Sequence, residues 1–374
     1  MKVIQLFRTN ISKKAIRAVE KVLCSGWIGL GPKTAEFEEK FAKYVGAKYA
    51  VAVNSGTAAL HLALVMSGIK KGDEVITTPL TFVSTNHIIL YQEAIPVFAE
   101  IDPVTYCIST SAIEKLITPK TRAIMCVHYG GYPCDIAGIY KIAKKYNLKV
   151  IEDAAHACGS SYHGKRIGSF GLTCFSFHAV KNLPVGDGGM ITTNNKKQYE
   201  RLKRLRWLGI NKSTYTRSGT DKKPGAYLWR YNVPEIGFKY HMNDINAAIG
   251  IEQLKLLDKQ NAYRRKLAAI YNKELNHPDI IAFPPVPSSD MLTSQHLYVL
   301  QVKRRENLIN KLKANGINSG VHYLPNNLFP MYKNYKNNVK STVKIAKHLI
   351  SLPMHTCLIE KDIFRITKII NQGW

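Results

Sequence analysis

At 374 residues and 45% apolar side chains, the chain is long enough for a large core and for two domains, as in an ordinary globular protein. No apolar run reaches membrane-spanning length, and the apolar start Met1–Phe7 is ended by Arg8 before it could serve as a secretory signal. The formal charge of +27 is spread as lysines along the whole chain, without a block, which favours solvated faces over a nucleic-acid surface or a basic tail.

A net positive field of that size would still help recruit a diphosphate. Seven cysteines stand singly with no Cys-x-x-Cys pair, which fits a reducing, cytoplasmic setting and offers no metal pattern.

In chain order, Ser12 precedes a helical stripe through Ala15, Ile16, Val19, Val22 and Leu23. A loop punctuated by Gly26, Gly29 and Gly31 carries Trp27, and a second amphipathic helix follows through Phe37 and Phe41. From Tyr49 the pattern alternates strands with helices. Tyr49–Val53 reads as a buried strand, Asn54–Thr57 as a turn and Ala58–Met66 as a helix. Glu74–Thr77, Ile95–Phe98, Ala123–Val127 and Leu148–Ile151 read as further strands, the last after a helix over Ile136–Tyr146. Such alternation predicts an α/β fold with a mostly parallel central sheet covered by helices, and ligands at the carboxyl ends of its strands. Residues 211–232 read as a long polar loop and Asp244–Leu257 as a connecting helix. Beyond it, a strand at 297–302 and helices at 304–315 and 341–350 predict a smaller C-terminal α/β unit.

Four places in this frame carry chemistry. Ser55-Gly56-Thr57 sits at a strand-to-helix turn, where backbone N–H groups and a hydroxyl can bind an anion or simply cap the helix. Phe82 follows another strand end, placed either to stack on a flat ring or to fill core. Asp153 stands at the carboxyl end of the Val150–Glu152 run, on the ligand side, with Glu152 alternating to the other face and His156 just beyond. Lys181 lies in Phe175–Asn182, ahead of the glycine cluster Gly186–Gly189 and a β-like run to Thr193. A lysine that carries a cofactor covalently needs a depressed pKa, which burial among Phe175, Phe177 and Val180 would supply. Gly159–Arg166 comes within one residue of a Walker loop, but Arg166 replaces the Mg²⁺-binding hydroxyl.

Anion turn, aromatic, carboxylate and lysine follow one another in the chain order of a fold-type-I pyridoxal-phosphate enzyme. The chain resembles the DegT/DnrJ/EryC1/StrS family of pyridoxal-phosphate-dependent nucleotide-sugar aminotransferases over nearly its whole length. The resemblance rests on Ser25–Pro32, Asn54–Leu60, Asp153–Ala157, Ser176–Asn182, Gly237–Asp244 and Gly320–Tyr323. It implies an aspartate-aminotransferase-like fold, with a large cofactor-binding domain over 1–245 and a small domain over 246–374.

By the same resemblance, Lys181 bonds pyridoxal 5'-phosphate and serves as acid and base, and Asp153 pairs with the ring nitrogen. His156 lies beside the ring hydroxyl, Phe82 stacks on the ring, and Gly56, Thr57 and Ser176 hold the phosphate. Trp27, Gly29, His322 and Tyr323 flank the sugar. The neighbouring subunit of a homodimer adds a phosphate contact, where this sequence carries Lys239 and His241 in place of the family's asparagine. Some relatives hold histidine at the lysine position and are dehydratases, so Lys181 argues for amino transfer from glutamate to a nucleotide keto-sugar. A lyase acting on amino acids, or a non-catalytic regulator on the same fold, are the alternatives. Neither nucleic acid nor membrane is an expected partner.

Overall fold

The N-terminal helix Lys13–Cys24 starts where Ser12 Oγ accepts the Ala15 N–H at 3.1 Å, as the capping pattern predicts. The structure, a computed structural model, describes residues 3–218, 229–335 and 338–374. The helix Pro32–Val45 opens with proline in its first turn, where no amide donor is missed, and closes at Gly46.

Among the described residues, nine strands lie in the first part of the chain: β1 (Tyr49–Val53), β2 (Glu74–Thr77), β3 (Ile95–Phe98), β4 (Thr121–Val127), β5 (Lys149–Asp153), β6 (Ser161–Tyr162), β7 (Lys165–Arg166), β8 (Leu172–Ser176) and β9 (Gly189–Thr193). Seven of them form one sheet in the order β1-β9-β8-β5-β4-β2-β3, and β6 and β7 form a separate hairpin. Strands β2 to β5 and β8 run parallel, and β9 alone runs against its neighbours β1 and β8. The chain order of strands did not predict that reversal. It arises because the short Lys181 loop returns beside β8, too short for the crossover a parallel neighbour needs.

Both faces of the sheet are covered. Phe37, Phe41, Phe175, Phe177 and Met190 pack on one side, and Val51, Leu60, Leu64, Cys174 and Ile191 on the other. The helix Gly56–Met66 is buried at every position from Ala58 to Leu64, which is why its sequence lacks a polar stripe.

A second, antiparallel sheet consists of β10 (Ile280–Ala282), β11 (Tyr298–Val302) and β12 (Leu349–Leu352), in that order. Helices Leu257–Glu274 and Glu360–Asn371 cover it through Tyr271, Ile363 and Ile366. Ile4 from the N-terminus is buried in this same core, while Val299 and Leu349 pack with Ile76 and Ile124 of the large sheet. Among the described residues no helix is long and apolar enough to cross a membrane.

Several boundaries differ from the expectation. The helix expected from Ala58 already starts at Gly56, with Ser55 as its cap. The connecting helix ends at Leu254, and a new one starts at Leu257. The helix expected over 341–350 stops at Ala346, and Leu349–Leu352 is a strand, because four buried apolar residues in a row fit either element until a partner strand is present. The expected loop 211–232 contains one helical turn, Thr214–Arg217, and its residues 219–228 lie outside the described ones.

Candidate active site

The carboxyl ends of the parallel strands open into a cavity of about 320 Å³. Its lining comes from the segment after each strand: Ser55–Thr57 after β1, Thr81 to Thr85 after β2, Val127 at the end of β4, Asp153 to His156 from β5, and Ser176 to Lys181 from β8. His322 and Tyr323 close the remaining side. Seven of the sequence-derived cofactor residues, namely Gly56, Thr57, Phe82, Asp153, His156, Ser176 and Lys181, therefore meet in one place.

At the β1 end, Ser55 Oγ accepts the Ala58 N–H at 3.1 Å and turns the chain into the helix Gly56–Met66, whose N-terminus faces the cavity. Two glycines allow this. A Cβ on Gly56 would sit 2.8 Å from Ser176 Cβ, and one on Gly189 would collide with the Ser55 carbonyl. Helix start, Ser176 and β9 thus pack into one cradle in which amide donors and a hydroxyl converge, the chemistry that holds a phosphate.

Asp153 is 3% exposed. Its Oδ2 accepts the Thr85 hydroxyl at 2.8 Å and its Oδ1 the Ala155 N–H at 3.0 Å. Thr85 in turn lies 2.8 Å from Thr81 Oγ1; because Thr85 donates to Asp153, Thr81 must donate to Thr85. Burial pushes the Asp153 carboxyl up, opposed by these hydrogen bonds and by the charge of Lys181. No cation forms an ion pair with it among the described residues, so this buried carboxylate suits a protonated ring nitrogen. Glu152 faces away as expected, accepting from Tyr140 at 2.8 Å and lying 3.2 Å from His128.

Lys181 keeps some surface toward the cavity, yet loss of water around its amine pushes its pKa down to about 8, against the pull of Asp153. The expected source of that burial needs correcting. Phe175 and Phe177 belong to the core on the far face with Phe37 and Phe41, and only Val180 lines the cavity. Residues alternate across a strand, so a phenylalanine on either side of Ser176 points away from the site that Ser176 faces. His156, His322 and Tyr323 share the cavity wall with the lysine. A depressed pKa has a measurable consequence. Amine-selective labelling of the cofactor-free protein across pH should modify Lys181 with a midpoint near 8, because the neutral amine reacts and appears as pH rises through its pKa. A midpoint shared with the surface lysines would show that the amine is not desolvated.

His156 is buried and held neutral: desolvation first, then Lys181, pushes it well below its usual range. The Gly130 N–H donates to its Nδ1 at 3.3 Å, which puts the ring proton on Nε2. That nitrogen lies 3.0 Å from the Tyr323 hydroxyl and so donates to it, leaving the Tyr323 hydrogen free for an acceptor in the cavity. His322 is likewise neutral, pushed down to about 4 by burial and by Lys181, with Nδ1 2.8 Å from Ser351 Oγ.

Phe82 caps the helix Val83–Tyr91 at the cavity rim and is 57% exposed, free to cover a planar ligand. Trp27, Gly29 and His241 do not line the cavity of this chain. Trp27 packs edge-on against Tyr215 at 4.9 Å, and His241 edge-on against Trp207 at 4.4 Å, with Lys239 over the same indole at 3.6 Å.

Two functional positions had no sequence signal of their own. Thr85 lies in the helix Val83–Tyr91, which the sequence reading did not single out. Asp244 marked the start of the connecting helix and the end of the Gly237–Asp244 motif, with no role attached, yet its buried carboxylate accepts from the amides of Gly31, Lys33 and Thr34, and its own N–H donates to the Gly29 carbonyl at 2.9 Å. It thereby fixes the tryptophan loop, two hundred residues earlier, to the segment that carries Lys239 and His241.

A desolvated lysine, an unpaired buried carboxylate and an amide cradle at the strand ends of this sheet define a fold-type-I pyridoxal-phosphate enzyme, and the residues present fit that cofactor. The chain belongs to the DegT/DnrJ/EryC1/StrS aminotransferase family, whose model matches residues 9–371. It is 40% identical over 366 residues to the spore coat polysaccharide biosynthesis protein SpsC of Bacillus subtilis, covering 94% of this chain and 92% of that one. The sugar aminotransferase CalS13 of Micromonospora echinospora superposes with a TM-score of 0.89 at 31% identity, over 99% of this chain and 100% of its own. Spr1654 of Streptococcus pneumoniae, solved in its pyridoxal-phosphate form, superposes with a TM-score of 0.90 at 29% identity, over 99% and 98% of the two chains. The protein is thus a sugar-family aminotransferase that depends on pyridoxal phosphate.

Proposed function

We propose that the enzyme moves an amino group from glutamate to the keto group of a nucleoside-diphosphate sugar, a 4-keto-6-deoxy sugar, for assembly of a surface polysaccharide, lipopolysaccharide or other glycan. The observation that carries this reading is the pairing of Lys181 and Asp153 in one cavity walled by His322 and Tyr323. Pyridoxal phosphate, when bound, supplies an electron-withdrawing ring that makes it easier to remove a proton from the carbon bearing the amine.

The chain's own groups then have distinct tasks. Lys181 holds the cofactor through its neutral amine and, once freed, takes a proton from one carbon and returns it to another. Asp153, oriented by Thr85 and the Ala155 amide, keeps its negative charge against the ring nitrogen. Gly56, Thr57 and Ser176 hold the phosphate, Phe82 covers the ring, and His156 lies at its hydroxyl side. Tyr323, left as a donor by His156, hydrogen-bonds a sugar oxygen. The net charge of +27 favours capture of the diphosphate, and the likeness to a spore coat polysaccharide biosynthesis protein supports a glycan pathway.

In this reading Trp27, Gly29, Lys239 and His241 serve the neighbour's site in a homodimer with shared active sites. The support is that none of them lines the chain's own cavity, while Trp27 Nε1 and His241 Nδ1 are buried with no hydrogen-bond partner among the described residues.

The test is to convert the enzyme to its pyridoxamine form and screen nucleotide keto-sugars for return of the aldehyde absorbance. A keto-sugar should restore it; if none does while amino acids undergo elimination, the enzyme is a lyase. His322→Ala should weaken the sugar half-reaction about tenfold, the scale of one lost hydrogen bond, while leaving the glutamate half-reaction nearly unchanged. Equal loss in both halves would make His322 a structural residue.

A further inference from the structure

The residue after Lys181, Asn182, does not line the main cavity; it is buried, and its side chain meets two distant parts of the chain. Its Nδ2 donates to Asn261 Oδ1 in the helix Leu257–Glu274 and to the Ser294 carbonyl, each at 2.8 Å. Its Oδ1 lies 2.8 Å from Nδ1 of His296, which is buried as well. Asn261 in turn donates to the Cys158 carbonyl at 2.9 Å. Ser294 and His296 stand just ahead of β11, so these contacts join the Lys181 loop of the large sheet to the small one.

Backbone chemistry fixes the protons of this network. A carbonyl oxygen only accepts, so the Asn182 atom facing Ser294 is the amide nitrogen, and the amide oxygen faces His296. That oxygen also only accepts, so His296 carries its ring proton on Nδ1 and donates it to Asn182. The ring has a single proton to give, because burial, reinforced by nearby His156 and Lys181, holds its pKa well below the usual histidine range. His296 also packs on two rings, stacked on Phe7 at 5.7 Å and tilted against His156 at 4.4 Å. A purely apolar ring would make those contacts too, but it would leave the buried Asn182 oxygen without this donor, which is costly.

We propose that His296 is a positioning residue for Lys181, holding the lysine at its place in the cavity through the hydrogen bond to the Asn182 amide. Backbone bonds from Lys181 to His178 and from Val185 to Phe177 close the loop on itself, and the Thr9 hydroxyl holds the Ala179 carbonyl. Asn182 ties the lysine end of the loop to the helix and to the small sheet, and a satisfied buried network of this kind specifies one geometry. The functional weight of the inference rests on the reading of Lys181 as the cofactor lysine.

Two substitutions separate the hydrogen bond from the ring packing. His296→Phe keeps a ring against Phe7 and His156 but has no donor, whereas His296→Asn sets an amide N–H where the Nδ1–H stood and gives up most of the ring. Amine-selective labelling of the cofactor-free proteins across pH reads the outcome at Lys181. In His296→Phe the midpoint should rise from about 8 by about one pH unit, a tenfold shift in the protonation equilibrium, as a loosened loop lets water reach the amine. In His296→Asn it should stay at the native value. The titratable groups that share the cavity with Lys181, namely Asp153, His156, His178, Asp187, His322 and Tyr323, are the same in both variants. Asn182→Ala, which leaves the imidazole in place, should show the same rise as His296→Phe and keeps the test valid if that chain folds poorly. In the holoenzymes of the variants that shift, both half-reactions should slow alike, because one lysine serves both. A native midpoint in His296→Phe or Asn182→Ala, or an equal rise in His296→Asn, overturns the proposal. Labelling reads where Lys181 sits, whereas a borohydride adduct reads whether it carries the cofactor, so failure of either idea is recognised separately.

Discussion

Replacing Lys181 by alanine should lower multiple-turnover activity by at least about 10²–10⁴-fold, the range typical of a positioned acid and base. The cofactor should still bind, because the Gly56–Thr57 helix start, Ser176 and Asp153 are untouched, but without a covalent bond and without the visible band that bond produces. Burial makes a large effect reasonable: an amine with its pKa pushed down to about 8 is roughly one-tenth neutral at pH 7, whereas a surface lysine is almost wholly charged. Borohydride reduction of the native holoenzyme followed by peptide mapping is the decisive check. An adduct on any lysine other than Lys181 refutes the proposed role, as would a Lys181→Ala protein with unchanged spectrum and rate.

Asp153→Asn should be the next most damaging change, with turnover reduced by about 10²–10³-fold, the scale on which a preorganised electrostatic partner acts. The substitution keeps size, and the asparagine oxygen can still accept one of the two hydrogen bonds, from Thr85 or from Ala155, so the fold should hold. What is lost is the negative charge that keeps a ring nitrogen protonated. Nitrogen NMR of labelled cofactor should therefore report a deprotonated ring in the variant and a protonated one in the native enzyme. Native-like activity in Asp153→Asn would reduce Asp153 to a cap for the turn at Ala155.

The sequence by itself determined the α/β alternation, the strand ends at which Ser55–Thr57, Asp153 and Ser176–Lys181 stand, and the family. Each of these depends on short-range pattern: the period of apolar residues, a cap before a helix, or a motif of a few consecutive residues. Glu152 and Asp153 could be assigned to opposite faces for the same reason, since neighbours on a strand point to opposite sides.

Only the tertiary structure decided what depends on the partner strand or on distant contacts. Whether β9 runs with or against β8 is set by the geometry of the loop between them, and the pattern of buried residues is the same either way. The same alternation rule should have sent Phe175 and Phe177 away from the Lys181 cavity, but its use required knowing that Ser176 faces inward. Leu349–Leu352 became a strand because β11 was there to pair with it. Thr85 holds Asp153 from 68 positions away and Asp244 holds the tryptophan loop from more than 200, and such long-range hydrogen bonds leave no trace in local periodicity.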